Sequence, residues 1–138
     1  MAASVGIDKV QDDCISHLLE EIPTGFVKEK IKLPNLEFNT PNDKWLRATF
    51  LGPVAIDNDA SGCYKEYNGF FVVDVFYAKG TFPKLALQTA QEISDSFFKK
   101  SFDYSFIINC DILVLGELEG WNQAQVVITY QYGSYSGE

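Results

Sequence analysis

The sequence predicts an α+β fold: a mostly antiparallel sheet of four to five strands with two helices packed on one face, in the order α-β-β-β-α-β-β. Two observations support this prediction. Apolar residues recur at helical spacing in segments 7–22 and 83–100. β-branched and aromatic residues dominate segments 70–78, 106–115 and 121–132, which is typical of strands.

The two predicted helices have clear ends. The first begins near Ile7 and ends before Pro23, and its apolar stripe is Ile7, Val10, Cys14, Leu18 and Ile22. The second begins at Thr81 and Pro83 and runs to about Lys100, because proline at the first turn gives up an amide that has no partner there. Its predicted buried stripe is Ala86, Ala90, Ile93 and Phe97.

The N-terminal half carries weaker strand signals. Segment 26–33 alternates, with Lys28, Lys30 and Lys32 on one side, and this predicts a short edge strand whose lysines discourage unwanted pairing. Segment 33–43 is rich in Pro and Asn and predicts an ordered loop, with Leu36 and Phe38 pointing inward.

The remaining strands are located by the glycine, proline and polar residues at their ends. Segment 45–51 predicts a strand closed by Gly52 and Pro53, and the polar segment 57–68 predicts a long hairpin connection. Segment 70–78 is apolar on both faces except at Asp74, which predicts the central strand. Segment 116–120 predicts a five-residue hairpin connection between the last two strands.

Length and charge bound the class of protein. The 138 residues suit one domain, 1–138, with residues 133–138 as a flexible tail. Apolar residues make up 46% and aromatic residues 14% of the chain, which excludes disorder and leaves rings to spare for a subunit contact. The net charge of −8 opposes binding to phosphate backbones or anionic lipid, so we expect no specific nucleic-acid binding and no membrane partner.

The cysteines and the N-terminus point to synthesis and use without export. Cys14, Cys63 and Cys110 are odd in number and widely spaced, so neither a disulfide framework nor a metal site is predicted. Met1–Gly6 lacks the basic start of a signal peptide, and no segment has the length and apolarity of a membrane span. We therefore expect a protein of the cytosol in which it is made.

No catalytic residue or cofactor is predicted. His17, the sole histidine, is interpreted as a solvated helix position, because no nucleophile with a partner base lies at a suitable spacing. The pairs Asp57 with Asp59 and Glu117 with Glu119 could serve a glycosidase or a calcium site, yet acidic residues are common in turns and no EF-hand pattern follows them. A phosphate-binding glycine loop is also absent from the sequence.

Read in order, these segments resemble a family of small phage proteins, the tail terminator or tail completion proteins of long-tailed phages. The resemblance rests on Leu33–Phe38 followed by Pro41 and Trp45–Arg47, and on the strand Tyr67–Val75. Gly80, Phe97, Gly120 with Trp121, and Val126–Tyr130 complete it, so that it covers about 31–132.

The resemblance implies a non-enzymatic virion protein that is made in the host cytoplasm and resides at the neck-proximal end of the tail. It would form a ring, expected to be a hexamer, that caps the tail tube, stops its polymerisation and joins it to a neck or head-completion (stopper) protein. The implied partners are other copies of the chain, the major tail tube protein and that stopper, while DNA passes through the ring without specific binding.

The contact residues are assigned from their place in the predicted elements and from their aromatic or charged character. Trp45 and Arg47 are assigned to the contact between subunits, and Asp57, Asp59 and Tyr64 to one ring face. Tyr132 is a further candidate for reaching a neighbouring molecule.

Two alternatives to a terminator remain open at this point. The first is another structural part of the same particle, either a neck stopper or a tail-tube subunit. The second is a small hydrolase or ligand-binding domain that uses the acidic turns, in which case replacing Asp57, Asp59, Glu117 and Glu119 by amides should abolish its activity.

Overall fold

The protein has the predicted α+β architecture. A computed structural model describes residues 6–58 and 64–135, with side chains at most of these positions. Within these ranges the elements are α1 (Ile7–Glu20), a 3-10 turn (Lys28–Lys30), β1 (Ile31–Lys32), β2 (Lys44–Asn58), β3 (Tyr64–Ala78), α2 (Pro83–Phe97), β4 (Phe106–Leu118) and β5 (Trp121–Tyr135). The predicted order of helices and strands is confirmed.

The strands form one sheet in the order β1-β2-β3-β5-β4. β1 runs parallel to β2, and every other neighbouring pair is antiparallel. β3 lies in the middle, and its residues 71–77 are buried on both faces of the sheet. The prediction of a central strand at 70–78 is therefore confirmed.

Both helices contribute to one core on one face of this sheet. From α1 it receives Val10, Cys14 and Leu18, and from α2 the predicted stripe Ala86, Ala90, Ile93 and Phe97. The strands contribute alternate residues such as Phe71, Val73 and Val75, as the two-residue period of a strand requires. This face is called the covered face, and the opposite face of the sheet is called the open face.

Segment 26–33 is a strand only at its end, so the predicted edge strand is too long. Gly25 has a φ of 87° and turns the chain, after which the backbone forms the 3-10 turn instead of continuing extended. Phe26 is buried, with its ring edge-on to Tyr77 at 5.9 Å between centroids. Burial of this ring against the sheet outweighs the alternating pattern, which depends on local sequence alone.

In the loop before β2, one of the two predicted anchors is wrong. Leu36 is 60% exposed. Phe38 is half-buried, with its ring 5.4 Å from that of Trp45.

β2 continues past the point where the sequence predicts its end. The ladder between β2 and β3 shifts register between Leu51 and Val54, so Gly52 and Pro53 lie in a bulge and do not end the strand. The segment predicted as a connection, 57–68, belongs largely to β2 and β3, and only 59–63 within it fall outside the described residues.

The last hairpin is tighter than predicted. β4 and β5 are joined by Glu119 and Gly120, whose φ values of 50° and 87° are those of a two-residue turn that matches the twist of its strands. Gly116, with a φ of 79°, lies at a register shift within β4 and does not begin the connection. β5 extends to Tyr135, so residues 133–135 of the expected tail belong to a strand, and 136–138 lie outside the described residues.

A tyrosine crosses the sheet where β2 bulges. The Tyr130 hydroxyl donates a hydrogen bond of 2.7 Å to the backbone oxygen of Leu51. Its ring passes directly over Gly69, where an added Cβ would collide with the hydroxyl and the ring. Glycine at position 69 is therefore required for this close approach.

Candidate assembly surfaces

The open face has a buried carboxylate at its centre. Asp74 on β3 is 2% exposed. Its Oδ2 accepts hydrogen bonds from Arg47 Nε at 3.1 Å and Arg47 Nη2 at 2.9 Å. Its Oδ1 accepts from the side-chain amides of Gln123 at 3.0 Å and Gln125 at 2.8 Å. The carboxylate thus has four donors, which offset the cost of removing its charge from water.

This network fixes three strands relative to one another on a face without a helix. Arg47 lies on β2 and the two glutamines lie on β5, so the bonds to Asp74 span both neighbours of the central strand. The Arg47 side chain is 41% exposed and forms the outer cover of the carboxylate. A positively charged, planar group is therefore presented to solvent in a fixed position.

An aromatic cluster adjoins the network. Trp45 stacks on Phe76 with 4.2 Å between ring centroids and 15° between planes, and Trp121 lies edge-on to Trp45 at 6.0 Å. Arg47 Cζ lies 5.2 Å from the centroid of Phe76, close enough for a cation–π contact. Trp45 Nε1 is buried without a hydrogen-bond partner among the described residues. The cluster covers the end of the sheet near the start of β2.

On the other side of the network the open face is apolar and exposed. A shallow cavity of about 380 Å³ lies there, lined by Arg47, Thr49, Leu51, Phe70, Val72, Asp74, Gln125 and Val127. Leu51 and Phe70 each leave nearly half of their surface in water. Large apolar side chains gathered on one surface mark a contact site more often than chance exposure does.

β4 forms the second exposed apolar surface. It is the outermost strand on its side of the sheet, and its distal half exposes Leu113, Val114, Leu115 and Leu118. An outer strand also presents backbone N–H and C=O groups that can pair with another chain. A long apolar edge of this kind favours association.

The six residues assigned to contacts from the sequence lie in different places. Trp45 and Arg47 are neighbours of Phe76 on the open face. Tyr132 is buried on the covered face, where it stacks on Tyr67 at 5.1 Å between centroids.

Of the other three, Asp57 and Tyr64 lie near the end of the β2–β3 pair that is remote from Trp45. Asp57 pairs with Glu66 in the ladder, and Tyr64 is the first residue of β3. Asp59 falls outside the described residues.

Neither the Asp74 network nor the β4 edge was predicted as a contact surface from the sequence. One signal was available, since Asp74 is the only charged residue in the otherwise apolar segment 70–78. Its partners could not be found in the same way, because Gln123 and Gln125 reach it through a pairing of strands distant in sequence.

His17 is buried, and its interpretation as a solvated helix position is wrong. Its ring lies 4.6 Å from that of Phe97 and 5.4 Å from that of Phe102. Nε2 lies 2.7 Å from the backbone oxygen of Ser96, so the nitrogen donates to that carbonyl. The histidine therefore links α1 to the end of α2 and is part of the packing.

The described residues offer little for chemistry. Burial raises the pKa of the Cys14 thiol to about 12 and that of the Cys110 thiol to about 11, so both stay protonated at neutral pH and are weak nucleophiles.

Across 6–58 and 64–135, no group of three or more His, Cys, Asp or Glu side chains is arranged to hold a metal ion. Within the same ranges no helix is long and apolar enough to cross a membrane.

Comparison with known proteins gives two findings. A family model described as phage tail terminator protein matches residues 17–103, which is more than half of the chain. A solved structure whose name states no function is similar, with a TM-score of 0.65 and 20% sequence identity over 97% of this chain and 99% of that chain. At that identity the likeness shows a shared fold. The search of curated proteins gives no match.

Proposed function

The chain belongs to the phage tail terminator family, and we propose that it forms a ring, expected to be a hexamer, at the head-proximal end of a tail tube. Membership of the family makes it a structural component of a phage tail. The finer role is that the ring stops tube polymerisation and joins the tail to a neck or head-completion protein. The match over residues 17–103 is the observation that carries this proposal.

The arrangement of surfaces supports assembly as the mechanism. The open face carries the exposed Leu51 and Phe70 beside the fixed Arg47, and β4 carries a row of exposed apolar side chains. A subunit in a ring needs two different contact surfaces for its two neighbours and further surfaces for the parts above and below. The open face and the β4 edge are two such surfaces.

The assigned contact residues divide between these surfaces. Trp45 and Arg47 are proposed for the contact between subunits. Asp57, Asp59 and Tyr64 are proposed for one face of the ring, because Asp57 and Tyr64 lie toward the end of the β2–β3 pair. Tyr132 is proposed to support that end from the covered face through its stack on Tyr67.

The charge fits a channel through which DNA slides. The chain has a net charge of −8, so a wall made of several copies would repel phosphates and would not retain them. We propose that DNA passes through the ring without specific binding.

The test uses the chain together with the major tail tube protein of the same phage. A terminator should shorten growing tubes to a narrow range of lengths, and label attached to the chain should appear at one end of each tube in electron micrographs. Label along the whole tube would identify a tube subunit instead, and tubes of unchanged length without label would overturn the proposal.

A pair of matched variants tests the ring face. Replacing Asp57 and Asp59 by Asn should weaken capping, because two carboxylates are removed from the proposed contact. Replacing Asp8 and Asp12 by Asn changes the net charge equally on the exposed side of α1 and should leave capping unchanged. Equal capping by both variants would remove Asp57 and Asp59 from the contact.

A further inference from the structure

We propose that neighbouring copies join head-to-tail through the two opposite edges of the sheet, with β4 of one copy alongside β1 and β2 of the next. This inference rests on the proposed ring and names its seam. The partner is therefore a second copy of this chain, and the contact is between two different surfaces.

The β4 edge lacks the lysines and prolines that commonly protect an edge strand. It runs from Phe106 to Leu118 and contains no lysine, arginine or proline, and among the described residues only its start is paired on the outer side, where Ser101 bridges to Phe106. Val114 is 68% exposed and Leu118 is 58% exposed. Edge strands in monomeric proteins are normally short or carry charged residues, especially lysine. β4 has 13 residues and only two charged ones, Asp111 and Glu117, so its exposed apolar half favours a covering partner.

The opposite edge is open for much of its length. β1 pairs with β2 only at Leu46 and Arg47, and among the described residues no strand pairs with the outer side of β2 beyond Arg47. Beside β1 lies an open cavity of about 540 Å³, whose apolar lining residues are Ile31, Leu33, Leu36 and Phe38. This edge therefore offers free backbone groups next to an apolar recess, which suits a strand with exposed leucines.

The two edges carry opposite charge. Residues 101–138 contain no lysine or arginine, so all 11 basic residues lie in 1–100. The β4 hairpin has Asp111, Glu117 and Glu119, all of them exposed. Glu117 has one weak internal contact, 3.8 Å from Lys79 Nζ, and both side chains are more than half exposed. The opposite edge, residues 26–47, has five basic residues against three acidic ones, Glu29, Glu37 and Asp43, so its net charge is positive. Its exposed Lys28 and Lys32 are placed to pair with the acids of the β4 hairpin when the edges meet.

The strand register gives the relative heights of the two edges. One rung of the ladder joins Glu117, Asn122, Tyr77 and Lys44, and another joins Leu113, Gln125, Asp74, Arg47 and Lys32. The acidic end of β4 is thus level with the lysine-bearing end of the other edge. A closed ring requires that neighbouring copies be related by a rotation with no shift along the axis. If that axis runs along the strands, such a rotation brings the acidic end of β4 beside the lysine-bearing end of the next copy.

The strand directions also agree. β4 is antiparallel to β5, and β5 runs in the same direction as β2 and β1 because each intervening pair is antiparallel. When copies stand side by side about an axis along the strands, β4 runs opposite to β1 and β2 of its neighbour. Antiparallel pairing across the seam follows, and it would continue the sheet from copy to copy.

Pairing of β4 with β4 of a second copy is the competing arrangement. It would bring Asp111 and Glu117 of both copies to one seam, and β4 supplies no cation to balance them. Like charges across an interface oppose association, so the head-to-tail arrangement is favoured.

The first experiment breaks the β4 edge with one charge. Val114→Lys places an ammonium on an exposed position of the strand, which should leave the fold intact and weaken self-association by about tenfold or more. Leu87→Lys also replaces an exposed apolar side chain by lysine, but on α2 and away from the proposed seam, and it should leave association unchanged. Mass measurement in solution and micrographs of annular particles report the outcome.

The second experiment reverses charge on each edge in turn. Glu117→Lys with Glu119→Lys should weaken association, as should Lys28→Glu with Lys32→Glu, because each set creates like charges across the seam. All four substitutions in one chain restore opposite charges at every seam and should restore association. Unchanged association of the Lys28 and Lys32 variant, with loss in the Val114→Lys variant, would indicate a β4–β4 contact and overturn the head-to-tail seam.

These outcomes separate the seam from the ring itself. If all variants form annular particles as the unaltered chain does, the seam is wrong and the ring stands. If the unaltered chain stays monomeric both alone and at the end of tail tubes, the ring and its seam are both overturned.

Discussion

The residues on the two faces of the sheet are buried by different groups. On the covered face, α1 and α2 supply a second layer, and Phe71, Val73 and Val75 pack into an apolar core. On the open face, Val72, Asp74 and Phe76 are also buried, although neither α1 nor α2 lies over them. Neighbouring strands cover them instead, through Arg47 and the two tryptophans.

This difference shows how one face of a sheet can be stable and still be free to contact another molecule. Apolar packing under helices stabilises the fold but leaves nothing to contact another molecule. Hydrogen bonds and flat rings hold the open face in shape while keeping its outer surface in water. The following substitutions test this division, beginning with the largest expected effect.

Phe97→Ala tests the covered face. Phe97 is fully buried and contacts the rings of His17 and Phe71, so its removal leaves a cavity that should lower the free energy of unfolding by about 3–5 kcal/mol. Phe98→Ala removes the neighbouring ring, which is 59% exposed, and should cost less than about 1 kcal/mol. Urea unfolding of both variants measures the difference, and similar losses would contradict the assignment of Phe97 to the core.

Asp74→Asn tests the open face. The substitution removes the charge that faces Arg47 and turns an acceptor into a donor amid four donors, so unfolding should become easier by about 2–3 kcal/mol. Asp111→Asn changes an exposed carboxylate that accepts one bond of 2.8 Å from Asn109 and should cost less than about 0.5 kcal/mol. If the two variants unfold at the same urea concentration, the network does not stabilise the open face.

Asp43 sharpens the contrast between a buried carboxylate and an exposed one. Its hydrogen bond from Lys30 Nζ at 2.6 Å holds the pKa of Asp43 below its usual value. A lowered pKa contributes stability above the unfolded value and loses it as pH falls through the folded value. Because the carboxylate is 53% exposed, the contribution at pH 7 should be at most about 0.5 kcal/mol.

The measurement for Asp43 is urea unfolding at pH 7 and at acid pH. The Asp43→Asn variant should be slightly less stable than the unaltered chain at pH 7. The difference should shrink in acid, where the carboxylate of the unaltered chain is protonated. A difference that grows as pH falls would mean that the carboxylate does not stabilise the fold through its charge.

Periodicity was enough to predict the elements whose burial follows from local pattern. The stripe of α2 from Ala86 to Phe97 and the central position of residues 70–78 belong to this group. The helix stripe follows from apolar residues at helical spacing, and the central strand follows from an uninterrupted apolar run on both faces. Neither pattern depends on distant contacts.

The errors arose where distant contacts decide the outcome. Gly52 and Pro53 end many strands, but here the ladder with β3 continues beyond a bulge and carries β2 to Asn58. His17 was predicted to be solvated because its partners, Phe97 and Phe102, lie more than 70 residues later in the sequence, beyond the reach of a local pattern. The Asp74 network depends on strand pairing in the same way, so residue type alone could not reveal it.

The crossing of Tyr130 over Gly69 has a mechanical consequence. Phe50 stacks on Tyr130 at 5.0 Å, Tyr130 lies 6.2 Å from Tyr132, and Tyr132 stacks on Tyr67. These rings lie on three adjoining strands, β2, β3 and β5, and their mutual packing resists bending of that end of the sheet. A load applied there would have to separate these packed rings before the strands could bend.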